Sequence, residues 1–145
     1  MLQEAIEDFK IEDFRFNEHG KPYIEGGPYF SISHCKEGIA VVVDEQTIGI
    51  DIEGIRHADE DLIERTMNEQ EKSQITNQQS PIESARAFTR LWTQKEAVVK
   101  CQGVGIQSFE QLQTILEIGD RKLETFEKEK YIYSIAYGKL HCIGA

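Results

Sequence analysis

Positive charge and cysteine are both scarce in this chain. Lysine and arginine number 16 against 26 aspartates and glutamates, for a formal net charge of −10. So acidic a chain lacks the counterion-releasing footprint of a nucleic-acid binder, which argues against broad phosphate-backbone binding and against a nucleic-acid partner. Only three cysteines occur, at positions 35, 101 and 142. Widely spaced and odd in number, they make neither a disulfide framework nor a metal knuckle, and they suit a reducing cytoplasm. No apolar run approaches the roughly 18 residues that a membrane helix requires, so no membrane partner is expected. The opening MLQEAIEDFK is acidic from its fourth residue, which is the wrong charge for a secretory signal. Internal repeats and low-complexity tails are missing too.

What is present is globular material. The 145 residues fit one domain, 1–145, large enough to bury a core without disulfides or metals. The charge is unevenly placed. The first sixty residues hold nine of the ten excess negative charges, whereas 83–100 sets Arg86, Arg90, Lys95 and Lys100 against only Glu83 and Glu96. An anionic ligand is best sought on that stretch.

Leu2, Ile6 and Phe9 recur at helical spacing and predict a short N-terminal helix. Phe14 and Phe16 alternate as in a strand, a turn follows at 17–20, and 29–34 reads as a second strand. Two β-branched runs, 39–44 and 47–53, are separated by Glu45-Gln46 and predict a hairpin. Residues 59–75 are helical in composition. The best-marked element begins at Ser80, a natural N-cap, with Pro81 at the first helical position and Glu83 completing a capping box. It should run to about Gln102, with Gly103 as its stop. Beyond it, 113–118, 123–127, 131–137 and 140–143 read as antiparallel strands. Strands and helices do not alternate in a βαβ rhythm, so the expected class is α+β, an antiparallel sheet packed against helices.

Several residues carry candidate chemistry. In the run 48–53, strand alternation puts Ile48, Ile50 and Ile52 on one face and Asp51 and Glu53 on the other, about 7 Å apart. Two carboxylates so placed can grip one hard cation; they equally suit a solvated face. On the long helix, 100° per residue groups Phe88, Leu91, Trp92, Val98 and Val99 into a core stripe. Glu96 and Lys100 fall on its flank at i, i+4, the favourable order for a surface ion pair. Lys95 projects into the middle of the apolar stripe, either snorkelling past Trp92 or reaching an anion. Ser33-His34 at a strand end offers a hydroxyl, a backbone N–H and an imidazole to a phosphate, or a satisfied structural histidine. No G-x-S-x-G elbow exists, and a Ser-His dipeptide splits across two strand faces, so a serine hydrolase is not indicated.

In order, the chain contains Gly20-Lys21-Pro22, then F-S-I-S-H ending at His34, then G-I-D-I-E from Gly49, then F-T-R-L-W-T-Q-K-E-A-V-V-K-C-Q-G-V-G from Phe88. Jointly this resembles the 4′-phosphopantetheinyl transferase superfamily from about Asn17 to Gly105. Because Ser33-His34 precedes Asp51, the likeness is to the second lobe of the broad-specificity, two-lobed type. Only 19 residues, acidic in balance, precede Gly20, where two-lobed members carry most of a first lobe. The resemblance therefore implies one of three things: a second copy of the chain completes the coenzyme site as a homo-oligomer, coenzyme A is held less completely, or the chain is a shortened non-catalytic coenzyme A- or partner-binding module. A metal-dependent nuclease also uses D-x-E with E-x-x-x-K, but the acidic balance argues against it.

The resemblance implies transfer of the phosphopantetheine arm of coenzyme A to a serine of an apo acyl or peptidyl carrier protein, releasing adenosine 3′,5′-bisphosphate. It implies Mg²⁺ held by Asp51, Glu53 and Glu96, with Lys100 against the pyrophosphate. Glu96 or a metal-bound water would take the serine proton. Ser33 and His34 would contact coenzyme A phosphates, Lys21 would stand near the 3′-phosphate, and Lys95 would be ligand-proximal. Trp92 is expected in the core. Carrier proteins are acidic, as this chain is, so docking is expected on a local patch, the 83–100 helix and the segment before it.

Overall fold

The computed structural model describes residues 13–117 and 121–138. The expected N-terminal helix around Leu2, Ile6 and Phe9 and the expected strand at 140–143 lie outside the described residues. The order of elements is β1 (Phe14–Phe16), β2 (Pro22–Ile24), β3 (Tyr29–Cys35), β4 (Gly38–Asp44), β5 (Ile48–Gly54), α1 (Glu60–Thr66), α2 (Glu69–Thr76), α3 (Pro81–Gln102), α4 (Phe109–Thr114), a 3₁₀ turn (Ile115–Glu117), β6 (Lys122–Glu127) and β7 (Tyr131–Tyr137). The class is α+β, as expected. The pairs β1–β2 and β3–β4 and the three-stranded order β5-β7-β6 are all antiparallel.

Pairing differs from expectation at one place. The runs 39–44 and 47–53 do not form a hairpin. β4 pairs back onto β3, with Ser33 opposite Ala40, and β5 pairs with distant β7, with Asp51 opposite Ser134. Glu45-Gln46 lacks the Asn-Gly or Asp-Gly chemistry that a tight primed turn demands, and the segment serves as a crossover instead. The other edge of β5 is met by side chains. Ser31 Oγ accepts from Ile50 N and Ser33 Oγ accepts from Ile52 N, each at 3.1 Å.

The helix at 81–102 is as marked in the sequence. Ser80 Oγ accepts from Glu83 N, and Gly103 closes the helix in the left-handed region at φ 74°, its N–H bonding Val99 O. The capping box is displaced by one residue, since the Glu83 carboxylate accepts from Gln79 N. Residues 59–75 divide into α1 and α2, because Asn68 and Glu71 form a reciprocal capping box that starts a new helix. Of the expected strand at 113–118, residues 113–117 are the end of α4 and the 3₁₀ turn. Its Leu112 and Ile115 are buried at helical spacing, which a short apolar run does not distinguish from strand spacing.

Helix α3 is buried on two sides. Phe88, Leu91 and Ala87 join Met67 and Ile75 in one core cluster, and Ala97, Val98, Val99 and Cys101 join Leu112, Ile115 and Ala136 in another. Trp92 packs against both and stacks on Phe88, as expected of a core residue. The side of α3 that meets the sheet is made of small residues. Thr93 Oγ1 bonds Ser134 Oγ at 2.8 Å, and Gly49 lies under Ala97 and Cys101. Among the described residues no helix is long and apolar enough to cross a membrane.

Candidate active site

The site is built where β5 crosses α3. Gly49, Asp51 and Glu53 alternate onto the same face of β5. A β-carbon on Gly49 would stand 2.1 Å from Ala97 O and 2.4 Å from Cys101 N, so the helix backbone rests directly on the strand. That contact brings the next inward residue, Asp51, to Lys100. Lys100 Nζ donates to Asp51 Oδ1 at 3.0 Å, and Ser33 Oγ donates to the same oxygen at 3.1 Å. Asp51 is 3% exposed, and its second oxygen, Oδ2, is buried with no hydrogen-bond partner among the described residues.

The electrostatics is that of a carboxylate crowded by its like. Burial pushes the Asp51 carboxyl up to about 7; Lys100 opposes this, and the charges of Glu53 and Glu96 add to it. Burial also raises Glu96, with Lys100 opposing and Glu53 adding. The three expected metal-ligating carboxylates therefore share one electrostatic neighbourhood. They do not form a ready cage: among the described residues no group of three or more His, Cys, Asp and Glu side chains is arranged to hold a metal ion. An orphaned buried oxygen beside two repelling carboxylates still fits a hard divalent cation. Mg²⁺ takes one or two protein carboxylates and keeps several waters.

A cleft of about 240 Å³ opens beside Lys100, lined by His19, Gly20, Lys21, Ser31, Ile32 and Gly103 among others. The sequence-predicted residues divide around it. Lys21 lines it, but its ammonium donates to Ile48 O at 2.9 Å and to Lys100 O at 2.6 Å. Ser33 is buried at 4% exposure, its hydroxyl shared between Ile52 N and Asp51 Oδ1. It holds a carboxylate where a phosphate contact was expected. His34 points to the opposite face of β3 and is exposed.

Lys95 departs most from expectation. It is fully buried and paired with Glu71, Nζ to Oε2 at 2.6 Å, while also donating to Leu112 O. Its direction, 140° around the helix from Lys100 at 100° per residue, is toward α2 and α4 and away from the cleft. The anion it reaches is a carboxylate of this chain. The expected docking patch is also altered. Arg86 donates to the carbonyls of Lys128 and Glu129, and Arg90 makes a two-pronged bond to Glu127. The 83–100 stretch is basic in sequence, yet its cations are taken up internally.

Four contributors escaped the sequence reading. Asn17 anchors the loop of Lys21, with Nδ2 donating to Gly103 O at 2.6 Å. Ser31 and Gly49 shape the β5 seam, and Glu71 neutralises Lys95. Gly49 alone carried a signal, as a glycine inside a strand pattern marks a close backbone approach.

Residues 47–142 match a sequence model of the family described as the 4′-phosphopantetheinyl transferase superfamily. The chain is similar to the 4′-phosphopantetheinyl transferase gsp of Aneurinibacillus migulanus, 35% identical over 97 residues that cover 64% of this chain and 39% of the relative. It is similar to a 4′-phosphopantetheinyl transferase of Bacillus subtilis, at 36% identity over 95 residues covering 64% of this chain and 42% of the relative. A third relative is the 4′-phosphopantetheinyl transferase AcpT of Salmonella typhimurium, at 36% identity over 98 residues covering 64% of this chain and 50% of the relative. The matched part of the chain thus spans 39% to 50% of the length of these curated relatives.

Proposed function

The chain belongs to the 4′-phosphopantetheinyl transferase superfamily, and from that premise we propose that it transfers the phosphopantetheine arm of coenzyme A to a carrier-protein serine. The observation that carries the proposal is the ion pair of buried Asp51 with half-buried Lys100 at the edge of the cleft, with Asp51 Oδ2 unpartnered among the described residues. A preorganised cation beside a buried carboxylate suits the charge that develops when a pyrophosphate is cleaved.

In the proposed reaction the serine oxygen bonds to the phosphorus that carries the pantetheine. The bond from that phosphorus to the bridging oxygen breaks, and adenosine 3′,5′-bisphosphate leaves. Lys100 stands as a fixed positive charge against the pyrophosphate. Glu96, or a metal-bound water, accepts the serine proton. Asp51, with Glu53 and Glu96 as its neighbours, would hold Mg²⁺, which when bound screens the anionic oxygens around the attacked phosphorus. Ser33 fixes Asp51. A cytoplasmic setting, where coenzyme A and apo carriers meet, belongs to the same reading.

The test is a mass measurement. Incubation of the protein with Mg²⁺, coenzyme A and an apo carrier is expected to add one phosphopantetheine to the carrier. Glu96→Ala and EDTA should each abolish the gain. Coenzyme A binding without any gain across several acyl and peptidyl carriers would replace the transfer reading with that of a coenzyme-binding module.

A further inference from the structure

The turn at 17–22 is bonded to the end of α3 by more than its length requires. A helix leaves its last carbonyls without intrahelical donors. Here Lys100 O receives Lys21 Nζ at 2.6 Å, and Gly103 O receives Asn17 Nδ2 at 2.6 Å. The same Lys21 ammonium donates to Ile48 O at 2.9 Å, three residues before Asp51. Asn17 Oδ1 in turn accepts from His19 N and Lys21 N, both at 2.9 Å, which fixes the turn itself. A β-carbon on Gly103 would meet Asn17 Nδ2 at 3.4 Å and Lys21 Cδ at 3.5 Å. One loop therefore holds three carbonyls, two from the helix end and one from the start of β5.

We propose that Lys21 is a positioning residue, which by gripping the Lys100 carbonyl and the Ile48 carbonyl together sets the register between α3 and β5 and so places the Lys100 ammonium against Asp51. An ammonium has three donors, and two of Lys21's are committed to carbonyls of its own chain. A positive charge at a helix C-terminus also complements the helix dipole. Burial lowers the Lys21 pKa, a cost consistent with a structural grip and not with a charge held out to solvent. The geometry assigns the lysine of the Gly-Lys-Pro turn to the alignment of the reacting groups, and leaves the 3′-phosphate of the coenzyme to other donors. The inference rests on the transfer reading above, which supplies the reaction that the alignment serves.

The deciding experiment compares coenzyme A with 3′-dephospho-coenzyme A in wild-type, Lys21→Met and Asn17→Ala proteins. If Lys21 positions, Lys21→Met lowers kcat on the order of ten- to a hundred-fold, and the ratio of kcat/KM for the two coenzymes stays as in wild type. Asn17→Ala, which frees Gly103 O and loosens the turn that carries Lys21 while keeping the Lys21 ammonium, shifts kcat in the same direction. Amide exchange in residues 101–103 quickens in both variants. Collapse of the coenzyme ratio in Lys21→Met, with kcat kept, overturns the proposal and makes Lys21 a phosphate contact. Unchanged kcat and unchanged exchange in both variants overturn it as well. If the wild-type chain modifies no carrier, the transfer reading fails. Exchange at 101–103 and the measured affinities for the two coenzymes then still decide whether Lys21 grips the helix end or a phosphate.

Discussion

Gly49 lies so near α3 that a β-carbon on it would stand 2.1 Å from the carbonyl oxygen of Ala97. The obstacle is helix backbone, with Cys101 N at 2.4 Å beside it, and no side chain can swing aside to make room. Gly49→Ala must therefore push α3 off β5. Overpacking of this kind costs about 1–3 kcal/mol or more, to be read as a lowered urea midpoint at unchanged slope. The displacement also lengthens the Asp51–Lys100 bond, so transfer activity should fall further than the lost stability explains. A variant of wild-type stability and activity would mean that the strand and helix are not in this contact.

Lys95 and Glu71 make a second expectation. Removing one partner of a buried ion pair leaves an uncompensated charge and costs about 3–5 kcal/mol. Lys95→Met and Glu71→Gln should each lower stability strongly, and the double variant should lose clearly less than the sum. Glutamine keeps an oxygen for Asn68 N, so the start of α2 is retained. A double variant equal to the sum would show that the pair is not coupled.

How much of this was written in the sequence depends on the residue types at each contact. The long helix was legible because Ser80, Pro81 and Gly103 mark its ends chemically. Asp51 and Glu53 were placed on one strand face, and Glu96 and Lys100 on one helix flank, by periodicity alone. The face of α3 that meets the sheet was not legible. It presents Thr89, Thr93, Ala97 and Cys101, all buried, and none of these scores as a hydrophobic stripe. Lys95 was misread because its partner Glu71 lies 24 residues earlier, and no local pattern announces a buried counter-charge. The hairpin of β4 and β5 failed because β7, the true partner of β5, lies about eighty residues on, and pairing at that separation has no signal in one sequence. The internal bonds of Ser33 and Lys21, to groups distant in sequence, needed the distances.

The Asp51 carboxyl gives a pH dependence with a defined sign. Burial, countered by Lys100, raises it from 3.8 to about 7. Between those values the folded, metal-free protein holds a proton that the unfolded chain has lost. Stability from this group is therefore full below about pH 4, falls as pH rises, and levels off above about pH 7. Melting temperatures in EDTA should show this decline in wild type, and Asp51→Asn should lack it. The Mg²⁺ of the proposed reaction would have to displace the same proton, so its affinity should weaken as pH drops below about 7. Identical pH profiles for wild type and Asp51→Asn would show that Asp51 titrates like an exposed carboxyl.

Ser33 offers the sharpest separation of roles. Its hydroxyl has one proton and two lone pairs; the proton goes to Asp51 Oδ1, and one lone pair receives Ile52 N. Ser33→Ala deprives both at once in a buried setting, where an unmet polar group costs about 1–3 kcal/mol. Without that bond the Asp51 carboxylate keeps, among the described residues, only the Lys100 ammonium as its partner and is held less firmly. Mg²⁺ binding, followed by calorimetry without any coenzyme, should weaken, while affinity for coenzyme A measured without metal should be nearly unchanged. Ser33→Thr, which restores a hydroxyl at the same atom, should recover most of the metal affinity. Were Ser33 instead a phosphate contact, the pattern would reverse: coenzyme affinity would drop in Ser33→Ala and metal affinity would hold. The two outcomes are separated by which titration moves, so neither stability loss nor reduced turnover can be mistaken for the answer.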